Sequence, residues 1–375
     1  MRIGFDAKRA FNNFSGLGNY SRYIITNVCR FYPENECMLY TPSIADPELF
    51  HEPEDAAIKL PRTWVGKFHR SYWRSFRLAH WLSADALDIY HGLSNELPYG
   101  IHRTGIKSVI TIHDLIFLQH PGLYKRFDRY VYQKKVQYGA RVATRIIAVS
   151  EQTRQDIIRF LNVDPSRIRV VYQGCHRQFY HRVSPETLRY TRQQFALPDE
   201  YLLYVGTIEE RKNLLKIVEA IDRGKIDSPL VVVGRKTPYY QLVKSYIDRN
   251  RVRNVSFLDH VQVTDLPAIY QGSRGFIYPS SYEGFGIPIL EALNSGIPVI
   301  TSRGGCLEET AGKGGLLIDP NNIDEMIRAI HTVMEESALR DRMIREGRAH
   351  AMKFREEQTI PALYNVYLEC LNDEG

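Results

Sequence analysis

No apolar run in this 375-residue chain approaches the roughly 18 residues that a membrane-spanning helix needs. The start, Met1-Arg2-Ile3-Gly4-Phe5-Asp6, also lacks the apolar core of a secretion signal. Both absences predict a cytoplasmic protein. Cysteine is scarce: Cys29, Cys37, Cys175, Cys306 and Cys370 are scattered, odd in number and without ligand spacing. That pattern argues against a disulfide framework or a metal site and for reduced thiols. No repeat at solenoid period and no low-complexity tract is present, which argues against a repeat array.

What is there is ordinary for a globular protein, with 44% hydrophobic and 25% charged residues in a length that suits two domains. The net charge of +6 is unevenly placed. Segment 61–82 carries Arg62, Lys67, Arg70, Arg74 and Arg77 without an acid, together with Trp64, Trp73 and Trp81. Segment 124–135 repeats the mixture with Tyr124, Lys125, Arg126, Phe127, Arg129, Tyr130, Tyr132, Lys134 and Lys135. Aromatic rings with Lys and Arg suit an anionic membrane surface, where rings sit at headgroup depth and cations meet phosphates. Nucleic acid would accept the same mixture. The expectation taken is a peripheral contact with the inner face of the cell membrane and no nucleic-acid partner. The competing reading makes half the aromatics core and the cations a solvated face.

Short apolar runs alternate with helix-sized intervals: Ile3-Gly4-Phe5, Asp88-Ile89-Tyr90, 108–112, 145–149, 168–172, 201–205, 230–233, 255–258, 275–278 and Val299-Ile300. Continuous short strands separated in this way predict parallel sheets covered on both faces, an α/β fold. The pattern restarts after Gln173-Gly174-Cys175-His176 and Leu197-Pro198. We therefore expect doubly wound domains at 1–180 and 181–358, with an amphipathic segment, 359–375, that could cross back to the first. Ligands of open α/β sheets bind beyond the carboxyl ends of the strands.

The motifs fall at such strand ends. In Ser281-Tyr282-Glu283-Gly284-Phe285-Gly286-Ile287-Pro288-Ile289-Leu290-Glu291, Pro288 suits a first helical position and the glycines do not suit a helix interior. Glu283 is thus predicted on a loop and Glu291 about one turn into a helix, beside amide groups that favour anions. Ser15-Gly16-Leu17-Gly18-Asn19-Tyr20 leads toward a helix from Tyr20 to Arg30 and could bring amides to a diphosphate. It is a poor dinucleotide fingerprint, lacking the third glycine and a later acidic partner, which counts against a dehydrogenase. His113, in Thr111-Ile112-His113-Asp114-Leu115, ends an apolar strand, and Asp114 could orient its ring or cap the next helix. In Gly206-Thr207-Ile208-Glu209-Glu210-Arg211-Lys212-Asn213-Leu214 the cations are predicted in a helix's first turn, against its dipole, a conflict that a bound phosphate would remove.

Taken in order, these segments resemble the large retaining glycosyltransferase family 4 (glycosyl transferases group 1), two-domain GT-B enzymes that include sucrose-phosphate synthase-like and bacterial mannosyltransferases. The resemblance spans nearly the whole chain. Further matching runs are Tyr204-Val205-Gly206-Thr207, Phe276-Ile277-Tyr278-Pro279-Ser280, Glu291-Ala292, Val149-Ser150-Glu151-Gln152-Thr153 and Val170-Val171-Tyr172-Gln173-Gly174. The resemblance implies two Rossmann-like domains facing a cleft and a nucleotide diphosphate sugar as donor, with no cofactor. It implies roles too: Glu283 and the amides of Phe285 and Gly286 at the donor sugar, Ile287 among the donor-binding residues, and Glu291 on the ribose. Arg211 and Lys212 then fall on the diphosphate with Gly206 and Thr207 beside them, Gly16 and Gly18 over the phosphates, and His113 by the reacting face. Thr207 stands where many relatives carry arginine. No Asp-x-Asp occurs, so no metal is called for.

The implied reaction keeps the anomeric configuration by same-face attack, the leaving phosphate oxygen accepting the acceptor's proton. Glu283 as a covalent nucleophile is the weaker option. The branch looks mannosyl, so GDP-mannose is the expected donor and a glycan or lipid-linked glycan the acceptor, in polysaccharide or lipopolysaccharide synthesis. UDP-glucose, UDP-galactose or UDP-N-acetylglucosamine are alternatives. A nucleotide-sugar epimerase and a non-catalytic nucleotide-sugar-binding protein are the rivals from other classes.

Overall fold

The protein is described from a computed structural model covering residues 1–61 and 72–373. The chain forms two compact units, Met1–Gly174 joined by Phe354–Gly375, and Cys175–Lys353. The first is built on a parallel sheet of β1 (Arg2–Asp6), β2 (Glu36–Tyr40), β3 (Ala57–Lys59), β4 (Ile89–Gly92), β5 (Lys107–Ile112), β6 (Arg145–Ala148) and β7 (Ile168–Val170), in the order β3-β2-β1-β4-β5-β6-β7. The second uses β8 (Leu202–Val205), β9 (Leu230–Val233), β10 (Val255–Leu258), β11 (Gly275–Tyr278), β12 (Val299–Ser302) and β13 (Gly315–Ile318), in the order β10-β9-β8-β11-β12-β13. Both are α/β units of the doubly wound kind.

Consecutive strand residues point to opposite faces. In the first unit this divides the core in two. Phe5, Ile89, Val109 and Ile147 pack with the helix Gly16–Phe31 and the last helix, Glu356–Asn372. Tyr90, Ile110, Ile112 and Ile146 pack with Val136 and Ala140 of the helix Arg126–Val142. β-Branched strands buried on both sides are what a covered parallel sheet selects. The last helix is bound into this unit by a Tyr364 ring stacked 3.6 Å from Tyr32, by Tyr23 Oη 2.8 Å from Thr359 Oγ1, and by Tyr367. β2, β3 and β13 were not expected from the sequence. Edge strands β3 and β13 are mostly half-exposed and short, and β2 opens on Glu36, so none reads as a buried run.

The membrane-facing reading of segment 61–82 needs correction where the structure describes it. Trp73 is only 1% exposed and belongs to the core, packed edge-on against Trp81 at 5.5 Å. Arg74 is equally internal, bonding Asp6 through Nε and Nη2 and Glu96 through Nη1 at 2.6 Å. Tryptophan carries enough apolar surface to favour the interior, and buried arginine survives there because two carboxylates pair it. Arg62, Trp64, Lys67 and Arg70 lie outside the described residues. Exposed aromatics remain at Tyr72, Phe76, Phe127, Tyr130 and Tyr132. Among the described residues no helix is long and apolar enough to cross a membrane.

Candidate active site

In the second unit the candidate residues collect at the carboxyl ends of β8 and β11. β8 ends at Val205, and Gly206 follows with φ +157°. A Cβ at Gly206 would lie 3.2 Å from the Tyr278 ring and 3.4 Å from Lys212 Nζ, so glycine makes room for the lysine to fold back over the strand end. Arg211 and Lys212 occupy a 3-10 turn, Glu210–Lys212, and Asn213 in the left-handed region separates it from the helix Leu214–Arg223. The cations are therefore not in that helix's first turn, and the expected conflict with its dipole does not arise.

Both cations are instead gathered on Glu283. Arg211 Nη1 lies 2.7 Å from Glu283 Oε2, and Lys212 Nζ lies 3.9 Å from Oε1. Tyr278 Oη and Ser280 Oγ donate to the same Oε1 at 2.7 and 3.1 Å. Glu209 Oε1 takes Arg211 Nη2 at 2.6 Å. Burial pushes the Glu283 carboxyl upward, but Lys212, Arg211 and the Tyr278 hydroxyl outweigh it, so the group sits below its ordinary pKa and is ionised at neutral pH. Arg211 is buried, which disfavours its charge, yet Glu283 and Glu209 hold it protonated.

Glu283 is on a loop, and the helix Ile287–Ser295 starts just after Gly286, with Pro288 in its first two positions. Phe285 is buried and Ile287 half-buried. The amides of that first turn have no intrahelical acceptor. Glu291, one turn into that helix, accepts from Tyr270 Oη at 3.0 Å. Burial raises its pKa to about 7, against the lowering effect of that hydrogen bond. Thr207 is half-buried, its carbonyl taking Tyr204 Oη at 3.3 Å. Sequence reasoning missed Tyr278, Ser280, Tyr270 and Glu209 as parts of this cluster. The position of Tyr278, last in a strand of a parallel sheet, was the available signal for it.

In the first unit the expected glycine loop is helix. Gly16 is the first residue of Gly16–Phe31, so the helix begins four residues before Tyr20. Gly18 has a packing reason: a Cβ there would stand 1.9 Å from the Asn13 carbonyl oxygen. Gly16 meets nothing within 4 Å and is exposed, and Ser15 makes no side-chain cap. His113 is buried, Nε2 lying 2.9 Å from the Leu93 carbonyl and Nδ1 3.2 Å from Gln173 Nε2. A carbonyl only accepts, so Nε2 carries the proton and Nδ1 accepts from the Gln173 amide. The ring stands edge-on to Tyr20 at 4.5 Å. Burial lowers its pKa to about 4, although the Leu93 bond works the other way, so it is neutral at pH 7. Asp114 Oδ1 accepts from Ile116 N at 3.1 Å, although Leu115 and not Asp114 is the N-cap of the helix Ile116–Gln119. Behind His113, a buried His91 joins Tyr367 Oη at 2.7 Å and Thr111 Oγ1 at 2.8 Å, and Thr111 meets Tyr20 Oη at 3.0 Å. Among the described residues of both units, no group of three His, Cys, Asp or Glu could hold a metal ion.

Residues 190–350 match the family described as Glycosyl transferases group 1, and residues 22–179 match Glycosyltransferase Family 4. The O-antigen chain mannosyltransferase B of Escherichia coli is 31% identical over 305 residues, covering 78% of this chain and 79% of that protein. The serotype-specific mannosyltransferase WbdA of Escherichia coli is 27% identical over 282 residues, 71% of this chain but only 34% of its own length. The solved structure of Anabaena HepE in complex with UDP and glucose superposes with a TM-score of 0.75 at 18% identity, covering 98% of this chain and 100% of that one. The shared fold is GT-B.

Proposed function

The chain belongs to glycosyltransferase family 4 of the GT-B fold and is a glycosyltransferase, and from that premise we propose that it moves mannose from GDP-mannose to a glycan or lipid-linked glycan with retention of configuration. The observation that carries the reading is the cluster of Arg211, Lys212 and Glu283 at the ends of β8 and β11, gathered before any substrate arrives. Breaking the bond from the anomeric carbon to phosphate leaves negative charge on the nucleotide diphosphate. Cations already in place stabilise that charge without reorganising.

In this proposal Arg211 and Lys212 face the diphosphate, with Gly206 and Thr207 beside them and the helix start at Gly16 and Gly18 over the phosphates. Glu283 and the amides of Phe285, Gly286 and Ile287 hold the sugar hydroxyls, and Glu291 the ribose. Glu283 is held by Arg211, Tyr278 and Ser280 with the Lys212 ammonium close by, which suits a fixed acceptor better than a nucleophile. His113 enters as a neutral ring fixed at both nitrogens. The leaving phosphate oxygen takes the acceptor's proton. No residue is assigned to a metal. The exposed rings of Tyr72, Phe76, Phe127 and Tyr130, with Arg126 and Lys134, form the proposed contact with anionic lipid.

The test is slow hydrolysis of a donor panel: GDP-mannose, UDP-glucose, UDP-galactose and UDP-N-acetylglucosamine. GDP release from GDP-mannose is the expected result. Release of UDP instead moves the donor to the UDP series, and product formed without any acceptor or hydrolysis supports an epimerase. Binding without turnover of any of them leaves a nucleotide-sugar-binding protein. Flotation with anionic vesicles that is unchanged in Phe127→Ala/Tyr130→Ala removes the membrane contact.

A further inference from the structure

Just beyond the first unit's β1, the charges do not balance. The strand ends at Asp6, and Lys8 and Arg9 follow in the short helix Lys8–Asn12. The local carboxylates are already taken, Asp6 by Arg74 and Glu96 by Arg74 and Lys135. Lys8 and Arg9 are half-buried and make no ion pair among the described residues, and the buried Nε of Arg9 has no hydrogen-bond partner. Burial, then the charges of Arg74 and Arg9, push the Lys8 ammonium below its ordinary pKa, against the weaker pull of Glu96 and Asp6. Arg9 is near enough to His113 to help depress its pKa.

The pair is also held in place. Asn12 Nδ2 donates to the Lys8 carbonyl at 2.9 Å and to the Ser43 carbonyl at 2.8 Å. Arg22 Nη1 donates to the carbonyls of Ala10 and Asn13 at 2.8 and 3.0 Å. An unpaired, partly desolvated guanidinium beside an ammonium gains most from a ligand that brings negative charge and several acceptor oxygens. The end of a central parallel strand is where such sheets bind ligands.

We infer that Lys8 and Arg9 form a phosphoryl-binding pair that takes a phosphate or diphosphate group of a substrate. The inference rests on the glycosyltransferase reading, in which a donor carries a diphosphate and a lipid-linked acceptor another. Neither Lys8 nor Arg9 was singled out in the sequence. Aromatic stacking or a neutral sugar would leave both cations unpaired.

The full-length protein and its Lys8→Met, Arg9→Gln and Arg9→Lys variants are titrated calorimetrically with GDP, with UDP, and with inorganic phosphate and pyrophosphate in the presence of saturating nucleotide. If the donor supplies the group, Lys8→Met and Arg9→Gln weaken nucleoside diphosphate binding by about ten-fold or more, a single charge-assisted contact's worth. If the acceptor supplies it, nucleotide affinity stays within about two-fold while phosphate or pyrophosphate binding falls by about ten-fold. Arg9→Lys keeps much of the binding in either case. Affinities of all four ligands within about two-fold of wild type in Lys8→Met and Arg9→Gln overturn the pair, as does a loss of binding in Arg9→Lys as large as that in Arg9→Gln. A wild-type protein that binds no nucleoside diphosphate counts against the donor reading, while phosphate and pyrophosphate without added nucleotide still decide the pair.

Discussion

The two units carry cations at the same topological place, just after the first strand of each sheet, but balance them differently. After β8, Arg211 and Lys212 meet Glu209 and Glu283, two cations against two carboxylates. After β1, Lys8, Arg9, Arg74 and Lys135 share Asp6 and Glu96, four against two. A balanced cluster holds its geometry before substrate arrives and responds to charge that develops during bond breaking. A surplus attracts charge that a ligand already has. In the proposed reaction the first arrangement would serve turnover and the second binding.

The largest effect should come from removing the charge that both carboxylates of the first unit depend on. Arg74→Met strands Asp6 in the interior, leaves Glu96 with Lys135 alone, and should cost about 3–5 kcal/mol in urea denaturation. A loss under about 1 kcal/mol would mean that the site is wetter than its burial implies. Arg211→Met in the second unit should lower kcat about 10²–10³-fold with the GDP-mannose donor, because the lost contact acts on developing charge. An equal kcat with a raised KM would instead place Arg211 in ground-state binding.

The units should also respond oppositely to pH. His91 and His113 are held neutral by burial, with pKa values lowered to about 3 and about 4. The unfolded chain binds those protons first, so stability falls as pH drops from about 6.5 toward 4. His91→Gln should flatten that slope in melting curves; an unchanged slope would assign acid lability elsewhere. Glu291 has the reverse sign. Its pKa, raised to about 7, gives stability that is complete at acid pH and lost as pH rises out of the usual carboxyl range through about 7. Glu291→Gln should therefore gain in melting temperature over wild type at pH 8 and show little gain near pH 5. A gain of the same size at both pH values would overturn the titration and point to packing.

Much of the fold was legible because it rests on patterns that survive in one dimension. Val109-Ile110-Thr111-Ile112 and Leu230-Val231-Val232-Val233 are strands because both faces are buried, and continuous apolar runs announce that. The loop position of Glu283 followed from Gly284, Gly286 and Pro288 in the same way. What could not be read were facts about partners distant in sequence. Trp73 looked like an interfacial ring until the core around Trp81 and Leu78 enclosed it. Arg74 looked like a surface charge until Asp6 and Glu96, 68 and 22 residues away, closed on it. The strand-end place of Tyr278 pointed to the site but not to Glu283 as its partner, and Lys8 and Arg9 look ordinary until the neighbouring carboxylates are seen to be spoken for.

The last helix, Glu356–Asn372, packs into the unit that begins the chain, with Tyr364 on Tyr32 and Tyr367 on His91. On a ribosome, the whole of Cys175–Lys353 must be made between the two parts of that unit. At about 5–20 residues per second the interval is on the order of ten to forty seconds. During it the apolar face formed by Ile24, Val28 and Phe5 lacks its final cover, while the second unit emerges uninterrupted and can fold first. The order of maturation is thus the reverse of the order of synthesis, and His91 acquires its Tyr367 partner only after all of Cys175–Lys353 has been made.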